Sequence, residues 1–187
     1  PNPGRYPEVS ENQFSSIFDK NPDPKDLMEF NLNVHLADAL ISCNKKTGFG
    51  DKQIFSKFSA QGNVVCGVCN VLYVDQNVVD GLEGQVSDAS FRSYLQSVPY
   101  QIGKSESYWE KLKMDDLHRK IAYTHEYSLG TVEDPMVVYI ARYNKGAVKQ
   151  VWDAISGAET PDYFIDYDIA LMSQMSSKCS QVLNSFE

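Results

Sequence analysis

Basic residues, histidines and long apolar runs are all scarce in this 187-residue chain. Seventeen lysines and arginines stand against 25 aspartates and glutamates, which leaves a net charge of −8 and a pI near 4.9. Basic residues cluster only at Lys45-Lys46 and from Lys111 to Lys120, and acidic residues dilute the second cluster. Binding to phosphates needs a stripe of Lys and Arg, so the composition argues against nucleic acid and against anionic membrane surfaces. A membrane-spanning helix needs about eighteen consecutive apolar residues, and the sequence has no such run. There is no Asn-x-Ser/Thr sequon, no signal-peptide pattern, no Gly-rich phosphate loop and no serine-centred nucleophile elbow. The chain opens Pro-Asn-Pro-Gly rather than with methionine, which reads as a processed or trimmed form. Cysteine is sparse as well: four residues are too few for a disulfide scaffold. Their even number allows three pairings if all are oxidised, but the count alone does not fix the compartment; a secreted or periplasmic one is slightly favoured.

What is present describes a folded domain. Hydrophobic residues make up 42% of the chain and aromatics 12%, with eleven tyrosines and nine phenylalanines. That supply suffices for a core and excludes wholesale disorder. Tyrosine suits half-buried positions with a wet hydroxyl, so a protein or peptide partner is a natural expectation. The reading is of an extended N-terminal arm over 1–10 and a single α+β domain over 11–187. This domain is mainly helical, with a small antiparallel sheet.

Several elements follow from local chemistry. A short helix is expected over 11–19. Asp23 followed by Pro24 starts a long helix, 24–46, with an N-cap and a proline at its first position. Two apolar stripes, Leu27/Phe30/Val34/Ala37/Ile41 and Met28/Leu32/Leu36/Ala39/Cys43, imply a helix packed on two sides. Lys45 and Lys46 suit its C-terminal dipole, and Gly48 its stop. A short element is expected within 50–60. Ser87-Asp88 should cap a helix to about Ser97 that buries Phe91, Tyr94 and Leu95 and ends before Pro99. Ser105 should open a helical stretch through Tyr108, Trp109 and Leu112, with a restart at Asp115. The alternative makes 120–129 a strand joined to the strand 136–143 as a hairpin through Thr131 to Asp134. A helix over 147–156 and a last helix from Thr160 towards Phe186 complete the pattern. The last helix would carry the stripe Met172, Met175, Cys179, Val182 and Phe186.

The stretch from Gln61 to Leu82 admits two readings. As a strand, Asn63 to Val74 is rich in β-branched residues, and Cys66 and Cys69 point to opposite faces. As a loop leading into a helix near Cys69, it places Val71, Val74, Val78 and Leu82 on one side. Sorting of polar residues by face favours the helix. A thiol at a helix N-terminus would be biased towards thiolate by the unsatisfied N–H groups and the dipole.

Here Gln61-Gly62 precedes Cys66-Gly67-Val68-Cys69. This unit resembles the papain-like cysteine peptidases, in which Gln-Gly precedes Cys-Gly-Ser/Ala-Cys and the second cysteine opens the central helix. Val68 and Asn70 stand where that family has a small residue and an aromatic. The resemblance spans about ten residues. It implies a thiol hydrolase acting on a peptide, amide or ester bond, with Cys69 as nucleophile, His125 as base, Asn144 orienting the imidazole and Gln61 donating to the oxyanion. His118 is the alternative base. The hairpin would be what carries His125 and Asn144 side by side.

Other chemistries fit less well. A thioredoxin-like role for Cys66-x-x-Cys69 needs a longer preceding strand than Val64-Val65. A zinc site from the four cysteines lacks a second close pair, and His118 and His125 would be about 10 Å apart along a helix. No cofactor and no metal is therefore expected. His35, Asp38 and Ser42 project in parallel from one helix and cannot converge as a triad, so they read as a solvated seam or a helix-spanning hydrogen-bond row. The rival to an enzyme is a secreted or periplasmic protein-interaction domain whose cysteines are structural.

Overall fold

The computed structural model describes Ser15 and residues 22–47, 64–101, 105–112, 119–121, 127–144 and 163–183. The expected arm over 1–10, the helix 11–19 apart from Ser15, which is helical, the element within 50–60, the restart at Asp115 and the helix 147–156 fall outside these residues. So do Gln61, His118 and His125.

Helix α1, Pro24–Lys46, begins and ends where its chemistry dictates. Asp23 Oδ1 accepts from the Asp26 N–H at 2.8 Å, and Asp26 reaches back to the Asp23 N–H, so two orphan amides are satisfied. Thr47 closes the helix one residue before the expected glycine, through its N–H to Cys43 O and its hydroxyl to Asn44 O. Both apolar stripes are inward, with Phe30, Leu36, Ala37, Leu40, Ile41 and Cys43 buried. The polar seam is only partly solvated: His35 is exposed, Asn31, Asp38 and Ser42 are half-buried, and Asp38 accepts from the Tyr108 hydroxyl at 2.7 Å.

The run after Gln61 resolves in favour of the strand. Strand β1, Val64–Leu72, is followed by the short helix α2, Gln76–Gly81, capped by Asp75. The helical reading thus holds only beyond Asp75; from Val64 to Leu72, pairing with a distant strand outweighs the local sorting of polar residues. Strand β2, Gln85–Val86, leads into α3, Asp88–Ser97, which Ser87 caps and which buries Phe91, Tyr94 and Leu95 as expected. The one-turn helix α4, Tyr108–Lys111, starts later than Ser105, behind a Ser107–Glu110 capping box.

Strands β3 (Arg119–Ile121), β4 (Tyr127–Ser128), β5 (Met136–Asn144), β6 (Tyr163–Leu171) and β7 (Gln181–Leu183) complete the sheets. Between β6 and β7 lie a 3-10 turn, Met172–Gln174, and the one-turn helix α5, Met175–Lys178. The main sheet runs β3-β6-β5-β1-β7. It is mixed rather than antiparallel: β1/β5 and β5/β6 are antiparallel, whereas β1/β7 and β3/β6 are parallel.

Two expectations are corrected here. The last helix from Thr160 is replaced by β6, the two short turns and β7. Tyr167 and Ile169 alternate with Asp168 and Ala170 across the two faces of the sheet, a period of two that the Met172/Met175/Cys179 spacing obscures. The hairpin of β4 with β5 is also absent. Strand β4 pairs with β2, through Gln85–Ser128 and Val86–Tyr127, and the neighbours of β5 are β1 and β6.

The sheet separates two cores. On one face, Val65, Cys69, Val138, Ile140, Tyr167 and Ile169 pack with α1, α3 and α4. On the other, Cys66, Val137, Tyr139, Ala141 and Ala170 pack with Met175 and Cys179.

Candidate functional site

Strand β1 is the structural hub. A bulge between Val68 and Asn70 inserts Cys69 as an extra residue opposite β5, since Val68 pairs with Tyr139 and Asn70 with Val138. The bulge presents Cys69 and Asn70 in succession to α1. Cys69 is disulfide-bonded to Cys43, Asn70 Nδ2 donates to Ala39 O at 2.9 Å, and Lys46 Nζ donates to Cys69 O at 2.7 Å and to Asn70 Oδ1 at 3.0 Å. Nearby, the buried Tyr167 hydroxyl donates to Asn44 Oδ1 at 2.6 Å.

The opposite face carries a second clamp. Cys66 is bonded to Cys179, just before β7, and the Ser180 N–H donates to Val64 O. Beside it, Asp168 accepts from the Tyr139 hydroxyl at 2.6 Å, from the Ile169 N–H at 2.7 Å and from Lys178 Nζ at 3.1 Å. Burial, and then the Asp168 carboxylate, push the Tyr139 hydroxyl far above the usual phenol range. Burial followed by Asp166 and Asp168 pushes Tyr143 up to about 12. Both phenols therefore stay protonated well above neutral pH, Tyr139 as a fixed donor to Asp168, and the cluster serves as an anchor for the segment around Lys178.

The residues assigned to hydrolase chemistry can now be placed. Cys69 sits in a strand bulge, not at a helix N-terminus, and is 8% exposed with its sulfur bonded to Cys43. A disulfide sulfur is not a thiolate and cannot attack a carbonyl as one. Asn144 is the last residue of β5, paired with Tyr163 of β6. Gln61 and His125 lie outside the described residues, and the hairpin that was to bring His125 beside Asn144 is not formed. All four cysteines are in disulfides. Among the described residues, no group of three or more His, Cys, Asp or Glu could hold a metal ion, and no helix is long and apolar enough to cross a membrane.

A different feature escaped the sequence reading. Among the described residues, the exposed large hydrophobics are Val71, Tyr73, Val132 and Met172. Strand pairing gathers them at one end of the sheet. Val71 is opposite Val137, and Tyr73 lies one residue beyond the Leu72–Met136 pair. Met172 lies one residue beyond the Met136–Leu171 pair, its N–H donating to Pro135 O. Val132 occupies the turn Thr131–Asp134 that leads into β5. Asp134 ties this turn to the end of β6 by accepting from the Ser173 N–H and hydroxyl at 2.9 and 2.6 Å. The patch joins residues about 60 and 100 positions apart in the chain, so no local pattern announces it. Comparison with protein-family models, with curated proteins and with solved structures gave no match.

Proposed function

We propose that this chain is a disulfide-clamped protein-interaction domain of an oxidising compartment, and that it meets its partner at the end of the sheet bearing Val71, Tyr73, Val132 and Met172. The gathering of all four exposed large hydrophobics of the described residues at one place carries this reading. Isolated apolar side chains are ordinary on protein surfaces, whereas a contiguous set is a mark of an interaction site. Tyr73, 66% exposed, supplies an aromatic of the kind that dominates binding energy, and Val132, 76% exposed, adds apolar area. Two disulfides on opposite faces of one strand suit a secreted or periplasmic setting. The competing reading, a thiol hydrolase using Cys69, His125, Asn144 and Gln61, requires Cys69 as a free thiol.

Two measurements test the proposal. Intact mass after alkylation of the native and of the denatured, unreduced protein should show no labelled cysteine; rapid labelling of Cys69 in the native protein would revive the hydrolase. Peptides selected against the full chain from a random display library should lose binding to the double variant Tyr73→Ser/Val132→Ser. Unchanged binding of the selected peptides to that variant would move the site elsewhere.

A further inference from the structure

The outer edge of β1 shows what could sit beside the apolar patch. Strand β7 pairs with β1 only at Val65, Cys66 and Gly67, although β1 runs on to Leu72. Among the described residues, no strand pairs with the outer side of β1 beyond Gly67. The carbonyl at the bulge, Cys69 O, is occupied by Lys46. The edge from Asn70 to Tyr73 is a short row of backbone donors and acceptors, and such a row is completed by another extended chain. Val71 and Tyr73 alternate along it, and the pairing of Val71 with Val137 places that side chain on the Tyr139 face of the sheet.

The charge around this edge selects the chain that would fit. The segments 70–75, 129–137 and 171–174 form this end of the sheet. They contain Asp75, Glu133 and Asp134 and no lysine or arginine, so three carboxylates outnumber the single ammonium found there among the described residues, that of Lys46, bonded to the Cys69 and Asn70 oxygens. Asp75 is bonded to the Asn77 N–H and side-chain amide, and Asp134 to Ser173, so neither of these contacts neutralises a carboxylate. Lys178 on the same face is paired with Asp168. The wider chain carries a net charge of −8.

From this edge and its charge we infer that β1 accepts an extended, net-positive segment of a partner protein, which adds as a strand alongside Asn70 to Tyr73 and lays its apolar side chains over Val71 and Tyr73. The inference rests on the interaction reading above. Backbone pairing supplies the register, the apolar pair supplies affinity, and the carboxylates favour lysine or arginine at the flanks.

The probe is an acetylated, amidated synthetic peptide in which lysine alternates with valine and tyrosine. It is tested against the full oxidised chain by fluorescence anisotropy and by hydrogen exchange of the backbone amides. Expected are saturable binding, slowed exchange confined to residues 70–73, and affinity roughly tenfold weaker at high salt. A version with glutamate for lysine, and a version with proline at alternate positions, should both fail to bind. The surface changes Tyr73→Lys and, separately, Val71→Lys should each weaken binding by roughly tenfold or more. The inference is overturned if the glutamate or proline peptide binds as well, if binding leaves the 70–73 amides unprotected, or if no peptide binds. Self-association of the chain that Tyr73→Lys abolishes would make a second copy the occupant and would also overturn it. Loss of the strand inference while display-selected peptides still require Tyr73 and Val132 would leave the patch itself standing.

Discussion

The two faces of β1 are held by similar hardware with different reach. On the α1 face, a disulfide joins residues 26 apart, with Lys46 three residues beyond Cys43 bonded to the bulge. On the opposite face, a disulfide joins residues 113 apart, with Lys178 beside Cys179 bonded to Asp168. Each cysteine pair is thus accompanied by a lysine that satisfies buried or half-buried oxygens nearby. The difference lies in what each clamp confines. The first ties a helix to a strand that follows it closely in the chain, a contact that local structure already favours. The second holds a late segment against an early strand, a contact with little local help. Loop closure costs more for the second, so its covalent bond should contribute more.

The largest expected effect follows from that contrast. Replacing Cys66 and Cys179 together by alanine should lower stability by about 5 kcal/mol, against about 3.5 kcal/mol for the Cys43/Cys69 pair, from the dependence of chain entropy on loop length. Urea unfolding of the two double variants checks the order; equal losses would mean that reach does not govern the two clamps.

Hydrogen-bonded tyrosines allow a smaller test, one on each face. Tyr139→Phe removes a donor from the buried Asp168 carboxylate, and Tyr167→Phe removes one from the buried Asn44 carbonyl oxygen. Each should cost about 1–3 kcal/mol, with Tyr139→Phe the larger because its acceptor is a carboxylate. Thermal unfolding would reveal a reversal of that order.

The fall in stability at high pH should come from both faces: burial raises Tyr94, Tyr108 and Tyr127 on the α1 face, as it raises Tyr139 and Tyr143 on the face carrying Asp168. Tyr143 titrates near 12 in the folded protein against 10.0 as an ordinary phenol, with burial, Asp166 and Asp168 as causes, and Tyr139 is shifted in the same direction. The unfolded chain releases these protons first, so their contribution is intact below pH 10 and is lost as pH rises towards 12 and beyond. Stability measured by denaturant should fall over that window, and phenolate absorbance should appear together with unfolding. Tyr139→Phe should flatten part of the fall.

The smallest effect is expected at the lysines. Lys178→Met removes a half-exposed partner of Asp168 and should cost about 1 kcal/mol. Lys46→Met leaves the Cys69 carbonyl and the Asn70 amide oxygen short of a donor and should cost a similar amount. A double variant losing much more than the sum would show that the two faces communicate through β1.

How much of this was legible beforehand differs by element. Helix α1 and helix α3 were readable because Asp23, Pro24 and Ser87 cap them locally and their apolar stripes repeat every three or four residues. Strand β5 was readable from its run of β-branched and aromatic residues. Strand β1 could be seen only as one of two options, because its identity depends on β5, more than sixty residues downstream. Strand β6 reads as helix from sequence because Met172, Met175 and Cys179 impose a helical spacing just past its end. The hydrolase assignment leaned on Cys69 as a helix-opening thiol. Neither the bulge that holds it nor the disulfide to Cys43 has any signature in the Cys66-x-x-Cys69 spacing. Disulfide pairing and the patch at the sheet end are both products of topology, and the sequence displays neither.

The parallel seating of β7 on β1 also bears on how the chain is made. Val65 to Gly67 emerge early during synthesis, but their partners Gln181 to Leu183 follow well over a hundred residues later. Throughout that interval the nascent β1 has an open edge and an unpaired Cys66 thiol, which is exposed to oxidation if the chain is made in the oxidising compartment proposed above. A wrong Cys66–Cys69 or Cys43–Cys66 bond formed in that interval must be undone before Cys179 arrives. The placement of one short strand therefore makes efficient production depend on thiol–disulfide isomerisation, and expression without an isomerase should yield a mixture of pairings.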